Sequence, residues 1–391
     1  MKFRVFLERF FEIITHFQKP KSNRVFFNSF SGQYNDNPKY VSIKLFEAHP
    51  EFKQYWYISK KSASNDIPPY VTVLKKRNFR FFLIKNSCRF IVENSAGFYL
   101  FYSNKKHDFK KKLINKKQFD ISTWHGYPFK NIGAAEAENK LWTADTVYTS
   151  SNIMLSGSKN LTKLFEKCYL GKLSVVEFGS PRNDLLFIDD KKVVPSLKTK
   201  LGLPLNKKII LYAPTYRDNP NDSGIVQLSN INLDILLSTL SIKFGGEWVF
   251  VFRVHNMVLL SLKEKCVDLY GSRVFSGNLF DDMAEYLKVS DVLLTDYSGC
   301  IFDVMLTDKP CFLYAHDRER YFNSERGVQV DFNLLPYSFC DTFCELINSI
   351  NKFNPKQNRQ RRIQYLRNIG SVEDGHASQR VVDLIVGNIK V

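Results

Sequence analysis

The stretch EWVFVFRVHN, residues 247–256, decides the fold class. It contains the run WVFVF (248–252), which is apolar at consecutive positions, whereas a half-exposed strand alternates apolar and polar residues. A strand that is apolar on both sides is buried on both sides, which is typical of parallel sheets covered by helices. Arg253 and His255 follow directly, and their spacing of two places both side chains on the same side of an extended chain.

The same pattern recurs on both sides of this stretch. A short apolar run is followed by small or polar residues and then by a helix-like segment. The other runs lie at 24–30, 55–59, 70–76, 89–95, 119–126, 146–151, 173–184, 207–218, 273–278, 291–299 and 310–317. Strands that alternate with helix-length spacers form right-handed βαβ units. The sequence therefore predicts an α/β protein with two Rossmann-like parallel-sheet domains that face each other across a cleft.

A chain of 391 residues exceeds one ordinary core, so we expect two domains. The lysine-rich stretch 189–208 contains two prolines, and we place the boundary there. The predicted parts are an amphipathic helix (1–20), two α/β domains (21–195 and 205–365) and a C-terminal helix (366–391). The first helix has a phenylalanine and isoleucine face flanked by basic residues. It either lies on a membrane surface or packs on its own domain.

The charge balance of 56 Lys+Arg against 39 Asp+Glu gives +17, which indicates an anionic partner. The basic runs are equally compatible with ordinary solvated faces. No module interleaves basic residues with stacking aromatics, so we expect no nucleic acid partner. The 7 cysteines form no CxxC pair, which disfavours disulfides and a zinc site.

The nucleotide-binding motifs GxxxxGK[ST] and GxGxxG are both missing from the sequence, which disfavours a P-loop ATPase and an ordinary dinucleotide enzyme. No Asp-x-Asp motif occurs either. We therefore expect no tightly bound cofactor or metal. No motif in the sequence supports a site for a divalent cation such as Mg²⁺, so whether such an ion takes part stays open.

Ligands of open parallel sheets bind beyond the carboxyl ends of the strands. The predicted strands end in hydroxyls, amides, histidines and arginines, a set suited to phosphate. His125 follows one strand, with Trp124 to shield it and Gly126 to allow close approach. Such a histidine acts as a general base or makes a structural bond to a backbone carbonyl.

Three further stretches are also candidates for anion binding, and two of them have a structural explanation as well. Arg253 and His255 are placed to reach one anion. The stretch TDYSG (295–299) is either an anion site at a helix N-terminus or an ordinary helix cap. Arg182 and Arg217 follow proline-bearing turns, where each clamps phosphate or forms a salt bridge that supports a loop.

Taken in order, these motifs resemble the CDP-glycerol glycerophosphotransferases, which include teichoic acid primases and polymerases and related capsule and lipopolysaccharide enzymes. The resemblance begins near residue 24 and rests on NSFSGQYNDNPK (28–39), STWHGYPFKNIG (122–133), GSPRNDLL (179–186), ILYAPTYRD (210–218), FRVH (252–255), SDVLLTDYSGCIFD (290–303), ERG (325–327) and DGHASQRVVDLI (374–385). It implies a fold of the glycosyltransferase B type, with the acceptor in the first domain and the nucleotide donor in the second. The implied reaction moves glycerol phosphate from CDP-glycerol to a hydroxyl of a lipid-linked acceptor, with release of CMP. The implied location is peripheral, at the anionic cytoplasmic face of the bacterial membrane.

The resemblance also implies roles for individual residues. His125 matches the base on the acceptor hydroxyl, and His255 and Arg253 match contacts to the transferred phosphate. The other predicted donor-binding residues are Thr215, Arg217, Thr295, Asp296, Ser298 and Gly299. The predicted acceptor-binding or supporting residues are Asn28, Trp124, Gly126, Lys130, Arg182 and Asp184.

Four positions depart from the family pattern. Tyr127 and Phe129 stand where threonine and leucine are usual, Asn256 replaces a proline, and Gly299 replaces a second serine. These changes are compatible with the same reaction class, but they leave open whether the donor carries glycerol or ribitol. The alternatives are a CDP-ribitol ribitolphosphotransferase or a nucleotide-sugar glycosyltransferase on the same fold. The acceptor, the choice between primase and polymerase, and the oligomeric state are also open.

Overall fold

Two parallel sheets organise the chain, each within its own unit. The computed structural model describes residues 2–30, 32–59, 66–95, 117–132, 151–169, 174–215, 230–254, 273–319, 321 and 330–389, with side chains from residue 6 onward. Unit 1 comprises Met1–His125, Ile132–Asp184 and Ile369–Val391. Unit 2 comprises Gly126–Asn131 and Leu185–Asn368.

The sheet of unit 1 has seven strands in the spatial order β3-β2-β1-β4-β5-β6-β7, all parallel. The strands are β1 (Lys21–Asn28), β2 (Lys53–Tyr57), β3 (Val71–Leu74), β4 (Cys88–Glu93), β5 (Phe119–Ser122), β6 (Ile153–Leu155) and β7 (Val175–Val176). The direction of the strand order reverses between β1 and β4. Ligands of such sheets bind beyond the strand ends at this switch point.

The sheet of unit 2 has six strands in the order β10-β9-β8-β11-β12-β13, also all parallel. The strands are β8 (Lys208–Ala213), β9 (Trp248–Phe252), β10 (Val274–Ser276), β11 (Val292–Thr295), β12 (Cys311–Tyr314) and β13 (Phe339–Cys340). All five residues of β9 are buried, which confirms the interpretation of WVFVF as a strand covered on both faces. The switch point of this sheet lies between β8 and β11.

Helices fill most of the connections between strands. In the described residues they are α1 (Lys2–Thr15), α2 (Asp36–Ala48), α3 (Phe79–Asn86), α4 (Lys159–Cys168), α5 (Asp184–Phe187), α6 (Asp190–Lys200), α7 (Leu233–Phe244), α8 (Met283–Val289), α9 (Cys300–Val304), α10 (Phe343–Lys352), α11 (Pro355–Asn368) and α12 (Ala377–Gly387). Side-chain caps begin several of them. Asn78 accepts from Phe81 N at α3, and Asp282 accepts from Ala284 N at α8.

The core of unit 1 lies on both faces of its sheet. On one face, Phe27 stacks on Trp56 at 5.3 Å between ring centroids, and α12 inserts Val381 and Ile385 into the same cluster. On the other face, Phe26 packs against residues of α3. Unit 1 therefore completes its core with the last helix of the chain.

The predicted domain limits need correction in three places. The stretch 189–208, in which the boundary was predicted, contains α6 after its cap Asp189, and the units divide earlier, between Asp184 and Leu185. The six residues 126–131 belong to unit 2. The predicted C-terminal helix, 366–391, begins later, because α11 ends at Asn368 within unit 2 and the helix of unit 1, α12, starts at Ala377.

Two strands differ from the prediction. The run 146–151 lies almost entirely outside the described residues, and β6 forms just after it, at Ile153–Leu155. The two-residue strand β13 has no counterpart in the prediction because it is too short to show a pattern. Among the helices of the described residues, none combines the length and apolar character needed to cross a bilayer.

Candidate active site

The imidazole of His125 is oriented by a backbone carbonyl. Its Nδ1 lies 2.8 Å from the carbonyl oxygen of Asn94, which follows β4. A carbonyl only accepts hydrogen bonds, so Nδ1 carries the proton and Nε2 keeps its lone pair. Burial lowers the pKa of His125 from its ordinary 6.5, against the opposing effects of the Asn94 carbonyl and Asp36. The side chain is therefore neutral at physiological pH, with Nε2 able to accept a proton.

The backbone around His125 is strained. Within the described chain, the non-glycine residues with left-handed φ are Phe30 (39°), Asp36 (56°) and Trp124 (53°). Trp124 stacks on the His125 ring at 4.4 Å, and the Phe30 ring meets it edge-on at 5.6 Å. Gly126 follows at φ 111°, which only glycine adopts without cost. Such strain persists only where the surroundings enforce it and is typical of functional sites.

Asn37 holds this turn in place. Its Nδ2 donates to the carbonyl oxygens of Thr123 and Trp124, both at 3.0 Å, and its Oδ1 accepts from the backbone N–H of Arg182 at 3.0 Å. The side chain is fully buried. Leaving a buried polar group unpaired is costly, so these three bonds fix the path of the chain into His125.

Arg182 supports the same turn from the other side. Its Nη1 donates to the carbonyl oxygen of His125 at 2.7 Å and pairs with Asp36 at 3.2 Å. Of the two interpretations offered for Arg182, the described contacts match the loop-supporting salt bridge.

We expect Arg182→Lys to lower kcat by about 10- to 100-fold, since small misplacements of a catalytic group have effects of this size. Lysine keeps the charge, but its side chain is shorter and ends in a tetrahedral ammonium, so it does not place a donor where Nη1 of the planar guanidinium contacts both the His125 carbonyl and Asp36. Steady-state kinetics should show the loss in kcat, with the KM for the donor nearly unchanged. An unchanged kcat, or a change confined to KM, would remove Arg182 from the positioning of His125.

Asp184 and Asn28 have contrasting surroundings in unit 1. The carboxylate of Asp184 accepts from the backbone N–H groups of Ala377 and Ser378 at 2.9 and 2.7 Å and so caps α12. Asn28 ends β1 fully buried, and its side-chain oxygen and nitrogen have no hydrogen-bond partner among the described residues. The contacts of Asp184 thus match a supporting role, while Asn28 lies at the switch point of the sheet with no described partner for its polar groups.

In unit 2 the predicted donor residues tie two strand ends together. Asp296, fully buried, accepts from the N–H and the hydroxyl of Thr215 at 2.8 and 2.6 Å and from Tyr297 N at 2.6 Å. The hydroxyl of Thr295 donates to the Ala213 carbonyl at 2.7 Å. These groups join the carboxyl ends of β8 and β11. Their contacts are those of a structural clamp.

Gly299 and Tyr127, two of the departures from the family pattern, touch each other. A Cβ at position 299 would lie 2.6 Å from the Tyr127 carbonyl oxygen, which only a glycine avoids. The Tyr127 ring stacks on Phe302 at 4.1 Å. Segment 126–131 thus packs on α9, and the aromatic side chain at 127 is explained by this contact. Next to it, the Ser298 hydroxyl accepts a long contact, 3.5 Å, from Cys300 N and also lies beside the Cys300 thiol.

Arg253 is also held by carbonyls. Its guanidinium donates to Phe280 O at 2.9 Å and Asp281 O at 2.7 Å, and also to Gly277 O. Its Cζ lies 4.9 Å from the Tyr286 ring centroid. These bonds fix the loop 277–281 after β10.

The remaining predicted site residues divide into described and undescribed ones. Lys130 lies 5.1 Å from the Tyr321 ring centroid within unit 2. His255 and Arg217 lie outside the described residues, so their roles stay predictions. The described residues contain no group of three His, Cys, Asp or Glu side chains placed to hold a metal ion.

The sequence interpretation missed Asn37 and Glu373. Glu373 accepts from Ser180 N at 3.1 Å with both oxygens and from Asn183 Nδ2 at 3.2 Å, which supports the turn before Arg182. The signal for Asn37 was available in QYNDNPK (33–39), where three consecutive polar residues precede a proline at a helix start. Glu373 gave no local signal because its partners lie far away in sequence.

Comparison with known proteins shows which proteins this chain is similar to. The teichoic acid glycerol-phosphate transferase of Staphylococcus aureus is 28% identical over 94% of this chain and 93% of its own length. The teichoic acid poly(glycerol phosphate) polymerase of Staphylococcus epidermidis is 28% identical over 95% of this chain, which spans 51% of that protein.

The structure of the wall teichoic acid polymerase TagF aligns with a TM-score of 0.80 at 24% identity, covering 98% of this chain and 93% of the other. This likeness confirms the predicted α/β architecture with two parallel sheets, of the glycosyltransferase B type. The pattern that defines the CDP-glycerol:poly(glycerophosphate) glycerophosphotransferases matches residues 10–387, nearly the whole chain. The resemblance inferred from the motifs and the predicted enzyme class are thereby confirmed. This chain belongs to the CDP-glycerol:poly(glycerophosphate) glycerophosphotransferase family.

Proposed function

We propose that this chain transfers glycerol phosphate from CDP-glycerol to a hydroxyl of a polyol-phosphate acceptor in the synthesis of teichoic acid or a related cell-surface polymer. The observation that carries the proposal is the His125 imidazole, with Nδ1 committed to the Asn94 carbonyl and Nε2 left as a base. Family membership supplies the substrates, and the two relatives described above both have glycerol phosphate in their names.

In the proposed step, the acceptor oxygen attacks the phosphorus that bears glycerol. A new P–O bond forms, the P–O bond to the CMP phosphate breaks, and the acceptor proton passes to His125 Nε2. Phosphoryl transfer depends on positioning and on stabilisation of the phosphate oxygens. Ser298 is the donor-side hydroxyl with a weakly used oxygen, and we assign it a phosphate contact. His255 remains the second proposed catalytic residue.

Release of CMP from CDP-glycerol in the presence of a membrane extract tests the donor. We expect turnover with CDP-glycerol and much slower turnover with CDP-ribitol. If CDP-ribitol or a nucleotide sugar is consumed while CDP-glycerol is not, the donor assignment is wrong and the corresponding alternative replaces it.

We also propose that α1 attaches the enzyme to the anionic membrane that carries a lipid-linked acceptor. The helix turns its polar side inward. Glu12 pairs with Lys85 at 2.6 Å and Glu8 with Arg77 at 3.3 Å, and both glutamates are buried. Helices of soluble proteins normally bury the apolar face instead.

The outward side of α1 and of the residues after it is apolar and bordered by basic residues. Its exposed side chains are Phe6, Phe10, Ile13, Ile14 and Phe17, with exposed fractions from 42% to 85%. Arg9, Lys19 and Lys21 are exposed beside them. An apolar face with cationic flanks fits the interface of an anionic bilayer, where the helix lies in the plane of the surface.

The variant Phe10→Glu/Phe17→Glu should lower co-sedimentation with phosphatidylglycerol vesicles by about tenfold or more, since burying one phenylalanine is worth about 1.5–3 kcal/mol. Ile242→Glu, on the exposed side of α7, makes a similar apolar-to-acidic change and should bind like the parent. Equal binding by the double variant and the parent would refute the role of α1.

A further inference from the structure

Unit 2 contains a cleft of about 850 Å³ between the segment 332–339 and α11. This volume lies in the range of sites that hold a drug-sized ligand or several linked small units. Besides Tyr337 and Tyr365, the polar side chains that line it are Arg318, Asn333, Ser338, Gln360, Arg361, Gln364 and Asn368. None of the described residues that line the cleft is acidic. Its wall therefore offers cationic and neutral hydrogen-bonding groups only.

Helix α11 supplies one wall. Arg361, Gln364 and Asn368 recur at spacings of three and four, which places them along one side of the helix. Gln364 Nε2 donates to Asn368 Oδ1 at 2.7 Å, so these amides are already oriented. The exposed Arg361 makes no hydrogen bond or ion pair with any described residue. Its guanidinium donors are thus available to a ligand.

The opposite wall is built differently. Arg318 pairs with Asp341 at 2.7 Å, and its Cζ lies 5.8 Å from the Phe339 ring centroid. Phe332 meets Phe339 edge-on at 5.2 Å. The aromatic rings are therefore occupied by each other and by an arginine.

We propose that this cleft of unit 2 binds the polyol-phosphate chain that the enzyme extends, by contacts to its phosphodiesters and hydroxyls, so that acceptor binding is not confined to the first domain, where the family resemblance places it. The proposal rests on the proposed function, which supplies a ligand with one negative charge and one free hydroxyl in each glycerol phosphate repeat. Arginine binds phosphate oxygens through two parallel donors, and amides bind hydroxyls without a preference for charge. A cleft with several such groups would hold several repeats and favour longer chains over single units.

Equilibrium binding tests the cleft directly. The probe is a fluorescent synthetic poly(glycerol phosphate) oligomer, compared with sn-glycerol 3-phosphate. We expect Arg361→Glu to raise the Kd for the oligomer by about tenfold, because an arginine–phosphate contact is replaced by repulsion. The matched control is Arg367→Glu, which makes the same change on the same helix at a residue that does not line the cleft. It should bind the oligomer as the parent does.

The other outcomes each overturn the proposal. Equal losses in Arg361→Glu and Arg367→Glu would mean that general positive charge attracts the oligomer. A parallel loss of CMP and CDP-glycerol binding in Arg361→Glu would assign the cleft to the donor. Unchanged oligomer binding in Arg361→Glu would show that the cleft does not bind the chain. The oligomer assay measures binding and needs no turnover. Absence of CMP release would therefore refute the proposed reaction, while the binding result would still test the cleft independently.

Discussion

His125→Ala is expected to lower kcat by about 10²- to 10⁴-fold, the usual contribution of a positioned general base. The reason is the arrangement at its ring, where the Asn94 carbonyl fixes the proton on Nδ1 and leaves Nε2 as the base. Single-turnover CMP release would measure the loss. Circular dichroism should show an unchanged fold, because the backbone bonds of Asn37 to Thr123 and Trp124 do not involve the imidazole.

The same residue sets the acid limb of the pH profile. Burial lowers the pKa of His125 below its ordinary 6.5, so the base stays unprotonated to lower pH than an exposed histidine would. As pH falls through this lowered pKa, the ring gains a proton and kcat falls. In Arg182→Lys the acid limb should stay near that of the parent, because the positive charge that helps to lower the pKa is retained. In Arg182→Gln it should move to higher pH.

Full activity in His125→Ala would exclude the base role. An acid limb above 6.5 in the parent enzyme would contradict the pKa direction that burial imposes. His125→Gln provides the matched control for volume, since glutamine fills similar space and has no basic nitrogen. If alanine and glutamine variants are equally slow, the loss is one of proton transfer and not of packing.

The second large effect is on stability. Asp296→Ala is expected to reduce the free energy of unfolding by about 2–4 kcal/mol, because it removes a fully buried carboxylate that accepts hydrogen bonds from two backbone N–H groups and from the Thr215 hydroxyl. Urea denaturation, followed by tryptophan fluorescence, would report the shift. The expected loss follows from full burial of Asp296 between β8 and β11.

Asp234→Ala is the control for removal of a carboxylate. Asp234 is 76% exposed and pairs with Arg273 on the surface, so its loss should change stability by less than about 1 kcal/mol. If Asp296→Ala instead keeps its stability and loses affinity for CDP-glycerol, Asp296 binds the donor, as its position in the motif first suggested.

The sheets were predictable because their strands carry the pattern themselves. Runs such as WVFVF are apolar at consecutive positions, and this pattern, which indicates burial on both faces, is contained within the sequence of the strand itself. The two-residue β13 is too short for any pattern to form. The division of the chain between units was harder to predict. It depends on where segment 126–131 packs, and stacking of Tyr127 on Phe302 joins residues far apart in sequence.

The candidate site likewise contains residues that the local sequence predicts and contacts that depend on distant segments. His125 was identifiable from its place after a strand and beside a glycine. Arg182, Thr295 and Asp296 occupy equally suggestive places, yet their hydrogen bonds go to carbonyls, carboxylates and amides of the protein. A motif records which residue types stand at a strand end. It does not record which partner each side chain has, because those partners come from distant segments such as Asp36 and Ala213.

The position of α12 along the chain has a consequence for synthesis on the ribosome. Val381 and Ile385 complete the core of unit 1, and the strands of that unit are synthesised before unit 2. Unit 2 takes nearly all of its residues from one continuous segment, which is complete before α12. Between the synthesis of β7 and that of α12, the face of the sheet that α12 covers therefore stays open, and exposed apolar surface of this kind is what chaperones recognise. A chain truncated before α12 should keep that face open and be cleaved faster in limited proteolysis than the full chain.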